Sequence, residues 1–287
     1  MSAAMPPLVL LAVLLAALMH AAWNAALKSQ PDTFLAALAV SAGAGLVGAA
    51  LLPFLPAPAG ASWPFIAASG AIHVVYYLLL AWAYRHADIS HAYPLMRGGA
   101  PVLVALAAST LAGERLQAAQ WAAIGLICAG GVVLTIGARA RTADTPVGPS
   151  PTLLALMAAV LIAGYTLVDG LGVRRSGSPA SYTAWILILG ALGAIAVSWR
   201  RTEGRLPAFV LRKPGLVLLG GVATTGSYGI ALWAMTQAPV AVVAALRETS
   251  IVFATGIAAL LLRERMTRAR VAGAGIIALG AVAMRLA

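Results

Sequence analysis

Charge is scarce in this sequence. Of 287 residues only 9% are Asp, Glu, Lys or Arg, against about 25% in an ordinary soluble domain. Acids are the rarer sign, 8 against 19 Lys plus Arg. So little charge cannot cover the surface of a soluble globule of this length, which excludes that class. Cysteine is nearly absent: Cys128 stands alone inside an apolar run, so an internal disulfide and any Cys-rich metal site are excluded, and a small buried filler is expected. The four histidines show no metal-ligand spacing. Neither a phosphate-binding P-loop, nor HExxH, nor GxSxG occurs, which argues against an ATP-driven pump and against an enzyme. No cofactor and no metal is expected.

Apolar residues are abundant instead, at 62%. They fall in runs of about 20, the length that crosses a hydrocarbon layer of about 30 Å. Spans are predicted at residues 7–27, 33–54, 63–84, 92–112, 118–138, 151–171, 181–199, 214–236, 241–262 and 269–286. Met1 to Pro7 lacks a basic n-region and the run after it continues to Leu27, so it reads as a first span and not as a cleavable signal. The net charge of +11 comes from basic residues between the apolar runs, where they face lipid headgroups. Lipids are therefore expected partners and nucleic acid is not. The expectation is an all-α integral membrane protein, multi-pass, in a bacterial-type inner membrane.

The stretch Arg139 to Ser150, with Asp144, Pro146, Gly148 and Pro149, has linker chemistry and lies near the midpoint. It divides the chain into a repeat over 1–138, a linker over 139–150 and a repeat over 151–287. A shift of 150 residues places Arg97 on Arg247, Glu114 on Glu264, Arg115 on Arg265, Gly125 on Gly275, Ile127 on Ile277 and Gly130 on Gly280. Five spans is an odd number, so the second copy enters the membrane with the opposite orientation. Inverted repeats with a substrate site between them are the plan of many secondary transporters. Arg200, Arg201, Arg205, Arg212, Lys213, Arg263, Arg265, Arg268 and Arg270 share one side, and the positive-inside rule then places both termini outside.

Ionisable groups inside spans cost about 2.5 to 3.5 kcal/mol each at a helix centre and need a partner or water. Arg97 lies among Tyr93, Pro94, Gly98, Gly99 and Pro101, a segment expected to loosen the helix. There it either clamps an anionic group or snorkels to the headgroups. Arg247 and Glu248 hold the equivalent place in the second half. Glu248 reads as a proton-coupling carboxylate, as the partner of Arg97, or as half of a structural ion pair. Asp169 shares a helix face with Tyr165, but Gly170, Gly172, Arg174 and Arg175 follow it, so an interfacial, solvated Asp169 is expected.

His20, Trp23 and Asn24 recur at helical spacing on the first span, His73, Tyr76 and Tyr77 on the third, and Thr224, Thr225, Ser227 and Tyr228 on the eighth. Lipid does not reward such faces. They either line a wet central cavity or tie helices together by hydrogen bonds. The candidate cavity set is His20, Trp23, Asn24, His73, Tyr76, Tyr77, Tyr93, Arg97, Tyr165, Ser227, Tyr228, Arg247 and Glu248, drawn from spans one, three, four, six, eight and nine. Trp63, Trp82 and Trp233 read as interfacial belt residues. Gly43, Gly45, Gly48, Gly130, Gly131, Gly190 and Gly193 read as close helix contacts.

Two paired segments carry a resemblance. Gly98 to Ala138 contains Gly113-Glu114-Arg115-Leu116, and Ser250 to Met284 contains Arg263-Glu264-Arg265-Met266, each an acidic-basic turn between the fourth and fifth spans of its half. With His20 to Lys28 around Trp23 and Asn24, the sequence resembles the EamA-type branch of the drug/metabolite transporter superfamily over nearly its whole length. The resemblance implies ten spans in two inverted five-helix repeats. It also implies a gradient- or exchange-driven exporter of amino acids or other small metabolites. Members of that branch are usually drawn with both termini cytoplasmic, opposite to the charge count here. Rival readings are a flippase for a lipid-linked or phosphonate-like substrate and a non-transporting membrane subunit.

Overall fold

The computed structural model describes residues 5–86, 89–139, 149–261 and 266–287, with side chains described except at 77, 80–86, 89–97, 135–139, 149–152 and 261. Its elements are α1 (Pro7–Lys28), α2 (Thr33–Leu51), α3 (Trp63–His86), α4 (Ile89–Leu111), α5 (Ala118–Arg139), α6 (Pro149–Arg174), α7 (Pro179–Thr202), α8 (Arg205–Arg212), α9 (Pro214–Gln237), α10 (Val240–Arg247), α11 (Ser250–Leu261) and α12 (Arg268–Leu286). Among the described residues, seven segments are each long and apolar enough to span a bilayer, and two shorter apolar pieces, Gly98–Leu111 and Ala118–Leu134, lie in α4 and α5. Counting α10 and α11 as one broken span gives ten spans, five on either side of the α5–α6 connection. α1 shows why lipid suits the outer surface: Leu8, Leu11, Leu15 and Leu18 are exposed in a helical stripe, while Val9, Val13, Ala16 and Ala17 are buried behind them. In water such a patch would drive association.

Contacts occur in reciprocal pairs, as the internal repeat requires. α2 packs on α7 and α5 on α12, each helix on its own counterpart, while α1 packs on α9 as α6 packs on α3. The α5–α12 seam repeats this at atomic scale. A Cβ on Gly130 would meet Ile277 at 2.8 Å, and one on Gly280 would meet Ile127 at 2.7 Å, so the residues paired by the 150-residue shift touch one another crosswise. Small residues allow this backbone approach where no hydrophobic driving force separates helix from lipid. Gly43, Gly45, Gly48 and Gly193 are likewise close contacts, Gly131 makes an ordinary one, and Gly190 meets nothing within 4 Å among the described residues, unlike the close contact expected of it.

Three local features depart from the sequence reading. α4 runs unbroken through Pro94, Gly98, Gly99 and Pro101, and the break falls in the second half, at Glu248 and Thr249. There the amides of Glu248 and Thr249 bond three residues back, to Ala245 and Leu246. The polar stretch 200–213 contains the short helix α8. Glu203 and Gly204, both with positive φ (49° and 74°), turn the chain into it. Leu206 is buried, and Phe209 and Val210 pack on the cluster of α2 and α9. Of the belt tryptophans, Trp63 is exposed at the start of α3 and meets Trp185 edge-on, whereas Trp233 packs on the core. Trp82 lies outside the described side chains.

The acidic-basic turn after α4 is a helix clamp. Gly113 takes a left-handed φ of 68°, closing α4 with a bond from the Glu114 amide to the Ala108 carbonyl at 3.0 Å, the arrangement that favours glycine just past a helix end. Glu114 is thereby aimed at the start of α10. Its Oε1 accepts from the Val240 amide at 2.8 Å and its Oε2 from the Ala241 amide at 3.3 Å, where a helix N-terminus rewards negative charge. Arg174, at the end of α6, donates to Glu114 at 2.9 Å, to the Met235 carbonyl at 2.7 Å and to the Ala238 carbonyl at 2.9 Å. Both halves are joined at this end of the bundle. Glu114→Ala is expected to cost about 1–3 kcal/mol, from two lost caps and a desolvated Arg174, with Glu114→Gln losing less. Thermal unfolding of the purified variants in one detergent measures both.

Candidate functional site

A cavity of about 230 Å³ lies between the halves. Ligand pockets for drug-sized molecules run to about 300–1,000 Å³, so this one fits a smaller solute. Among the described residues its wall comes from α1 (Ala17, His20, Trp23, Asn24), α3 (Tyr76), α4 (Ala100, Pro101, Val104), α6 (Ile162, Tyr165, Thr166) and the α10–α11 break (Ala244, Arg247, Glu248). Seven candidates from the sequence, His20, Trp23, Asn24, Tyr76, Tyr165, Arg247 and Glu248, therefore meet on one surface.

Helical periodicity explains how α1 contributes. Residues 17, 20, 23 and 24 project from one face, opposite the lipid-facing leucines. His20 and Trp23 meet edge-on with centroids 5.2 Å apart, and Asn24 Nδ2 donates to the His20 carbonyl at 2.8 Å. The Trp23 indole N–H is buried and meets no acceptor among the described residues. The charges come from the broken span. Val240 to Leu246 are all buried. Arg247 closes α10, where carbonyls favour a cation, and Glu248 precedes α11, where amides favour an anion. The break thus presents both signs to the cavity side by side.

Behind the wall lies a network that the sequence reading missed. Asp169 is fully buried, at 0% exposure, which corrects the expectation of a solvated, interfacial residue. Tyr182 donates to its Oδ1 at 3.2 Å, and Tyr228 donates to its Oδ2. His73 acts on it electrostatically, and its Nδ1 lies 3.3 Å from Ser69 Oγ and 2.8 Å from the Ser69 carbonyl. The His73 ring stacks on Tyr165 with centroids 4.5 Å apart, and Arg247 sits over the Tyr228 ring, 5.4 Å from its centroid. The glycines that suggested a span end are packing sites: a Cβ on Gly172 would overlap Tyr182 Oη at 2.2 Å, and one on Gly170 would meet Val240 at 2.4 Å. α6 continues past both. The i, i+4 pair of Tyr165 and Asp169 was the available signal.

The eighth span does not line the cavity among the described residues. Ser227 is buried and its hydroxyl donates to the Ala16 carbonyl at 2.7 Å, tying α9 to α1, and it is not among the described residues that line this cavity. Tyr228 and His73 stand one layer back. The side chains of Tyr77, Tyr93 and Arg97 lie outside the described residues, and with them the pairing of Arg97 with Glu248. Cys128 is buried, at 8% exposure.

The EamA-like transporter family matches this chain twice, over residues 7–136 and 150–286. The chain belongs to that family. It is a multi-pass membrane protein of a transporter family in the drug/metabolite transporter superfamily. Among curated proteins no sequence matches it. A solved structure titled only "Crystal structure of protein" superposes with a TM-score of 0.69 over 96% of this chain and 94% of that chain, at 22% identity. This likeness shows the shared fold.

Proposed function

We propose that this EamA-family protein is a secondary transporter that exports amino acids, or similar small metabolites, across an inner membrane by alternating access between its two repeats, 1–138 and 151–287. The observation that carries the reading is the convergence of Arg247, Glu248 and the aromatic faces of Trp23, Tyr76 and Tyr165 on one small cavity between the halves. A zwitterion carries a carboxylate for the guanidinium, an ammonium for the carboxylate of Glu248, and an apolar side chain for the rings. The size of the cavity favours such a solute over a lipid-linked one. The count of basic loop residues favours termini on the outer side.

Thermal unfolding of the purified protein in the presence of individual L-amino acids tests the reading, because a ligand of the folded state stabilises it by about 2.7 kcal/mol at a hundredfold excess over Kd. One or a few zwitterions are expected to raise the Tm of the wild type and to leave Glu248→Ala unmoved. No shift with any amino acid, or the same shift in both proteins, would overturn the reading.

A further inference from the structure

We infer that Asp169 is a proton-binding site coupled to the transport cycle, an assignment that rests on the transporter reading above. Three observations converge on it. The carboxyl is shut off completely from the surface. Both oxygens are held by tyrosine hydroxyls, those of Tyr182 on α7 and Tyr228 on α9, which can donate to a carboxylate or rearrange around a carboxylic acid. The groups beside it lead to the cavity by two short paths, one through His73 to Tyr165 and one through Tyr228 to Arg247.

A purely structural tie between α6, α7 and α9 would need only an amide, and asparagine would supply it. A carboxylate adds a charge, and a buried charge without a cation on it costs several kcal/mol. Among the described residues, the titratable and charged groups facing Asp169 from its neighbouring elements are few. α3 contributes His73, α7 Tyr182, α9 Tyr228, and α10 Arg247, which stands on the far side of the Tyr228 ring. α6 itself contributes Tyr165 one turn back. The side chains of Tyr77, Tyr84, Arg85 and His86 on α3, and of His91, Tyr93 and Arg97 on α4, are outside the described residues. One proton shared between Asp169 and His73 removes the charge imbalance, and its release restores it. Arg247 feels the difference through Tyr228. A solute that binds Arg247 therefore alters proton binding at Asp169, and by linkage the proton alters solute binding equally. Glu248, beside Arg247 and on the cavity wall, is left to contact the solute.

Infrared titration of the full-length protein in lipid vesicles reads the proton directly. A carboxylic-acid C=O stretch that comes and goes with pH is expected in the wild type. It should be absent from Asp169→Asn, and shifted in frequency but retained in Tyr228→Phe, which removes one hydrogen-bond donor. If Asp169→Asn does not assemble, the Tyr228→Phe shift decides. In vesicles given a mixture of labelled L-amino acids, Asp169→Asn should lose at least tenfold of the response to an imposed pH gradient while keeping exchange at equal pH. A titrating band identical in wild type and both variants, or a gradient response unchanged in Asp169→Asn, would overturn the assignment. Wild-type protein that titrates normally but moves no labelled amino acid would instead overturn the amino-acid reading and leave the proton site standing.

Discussion

Arg247→Ala weakens binding of an anionic or zwitterionic solute by about 30-fold to 1,000-fold, since removing one partner of a buried charged hydrogen-bonded pair costs about 2–5 kcal/mol and 1.4 kcal/mol is tenfold in affinity. Arg247 is the only described cation on the cavity wall. Its loss also removes the cation from the Tyr228 ring, so the environment of Asp169 changes with it. Lysine should restore little, because a point charge replaces a planar fork that can grip two oxygens and lie on an aromatic face. Isothermal titration with the amino acid that gives the largest thermal shift measures the effect. Far-ultraviolet circular dichroism checks that the variant keeps its helices.

Gly273→Leu should prevent assembly of the bundle. A Cβ at Gly273 would stand 2.6 Å from the Leu134 backbone nitrogen and 2.8 Å from the Gly130 carbonyl oxygen. Backbone atoms cannot turn aside as a side chain can, so α5 and α12 would have to separate along their length. Overpacking in a well-packed core costs about 1–3 kcal/mol and occasionally more. A backbone-to-backbone clash on the seam between the repeats belongs at or above the top of that range. Gly125→Leu is the control, because a Cβ there meets nothing within 4 Å among the described residues. Monodisperse yield and Tm in detergent should collapse for the first variant and stay near wild type for the second.

The α5–α12 seam and the cavity wall differ in how much of them the chain reveals. The pairing of Ile127 with Ile277 and Gly130 with Gly280 was legible as a 150-residue shift, and the fold realises it as crosswise contact. The α1 stripe was legible because helical spacing puts His20, Trp23 and Asn24 on one face whatever their neighbours. The pattern after Asp169 points to a span end because glycine and arginine usually mark one, whereas Gly170 and Gly172 here make room for Val240 on α10 and Tyr182 on α7, side chains of other helices. The helix break was sought at Pro94 to Pro101, where breaking residues cluster. It falls at Glu248 and Thr249, where no residue type announces it and the amides bond three residues back. Ser227 illustrates a limit of pattern reading: a buried hydroxyl on a polar face serves a neighbouring helix as readily as a cavity.

Flux through reconstituted protein bears most directly on the claim that the cavity between the repeats is a transport site. Vesicles preloaded with an unlabelled L-amino-acid mixture should take up labelled amino acids saturably by exchange. Wild-type protein should support this flux, empty vesicles should not, and Arg247→Ala protein inserted at equal density should fall at least tenfold below wild type. Flux no greater than in empty vesicles, or equal flux with and without Arg247, would contradict the account.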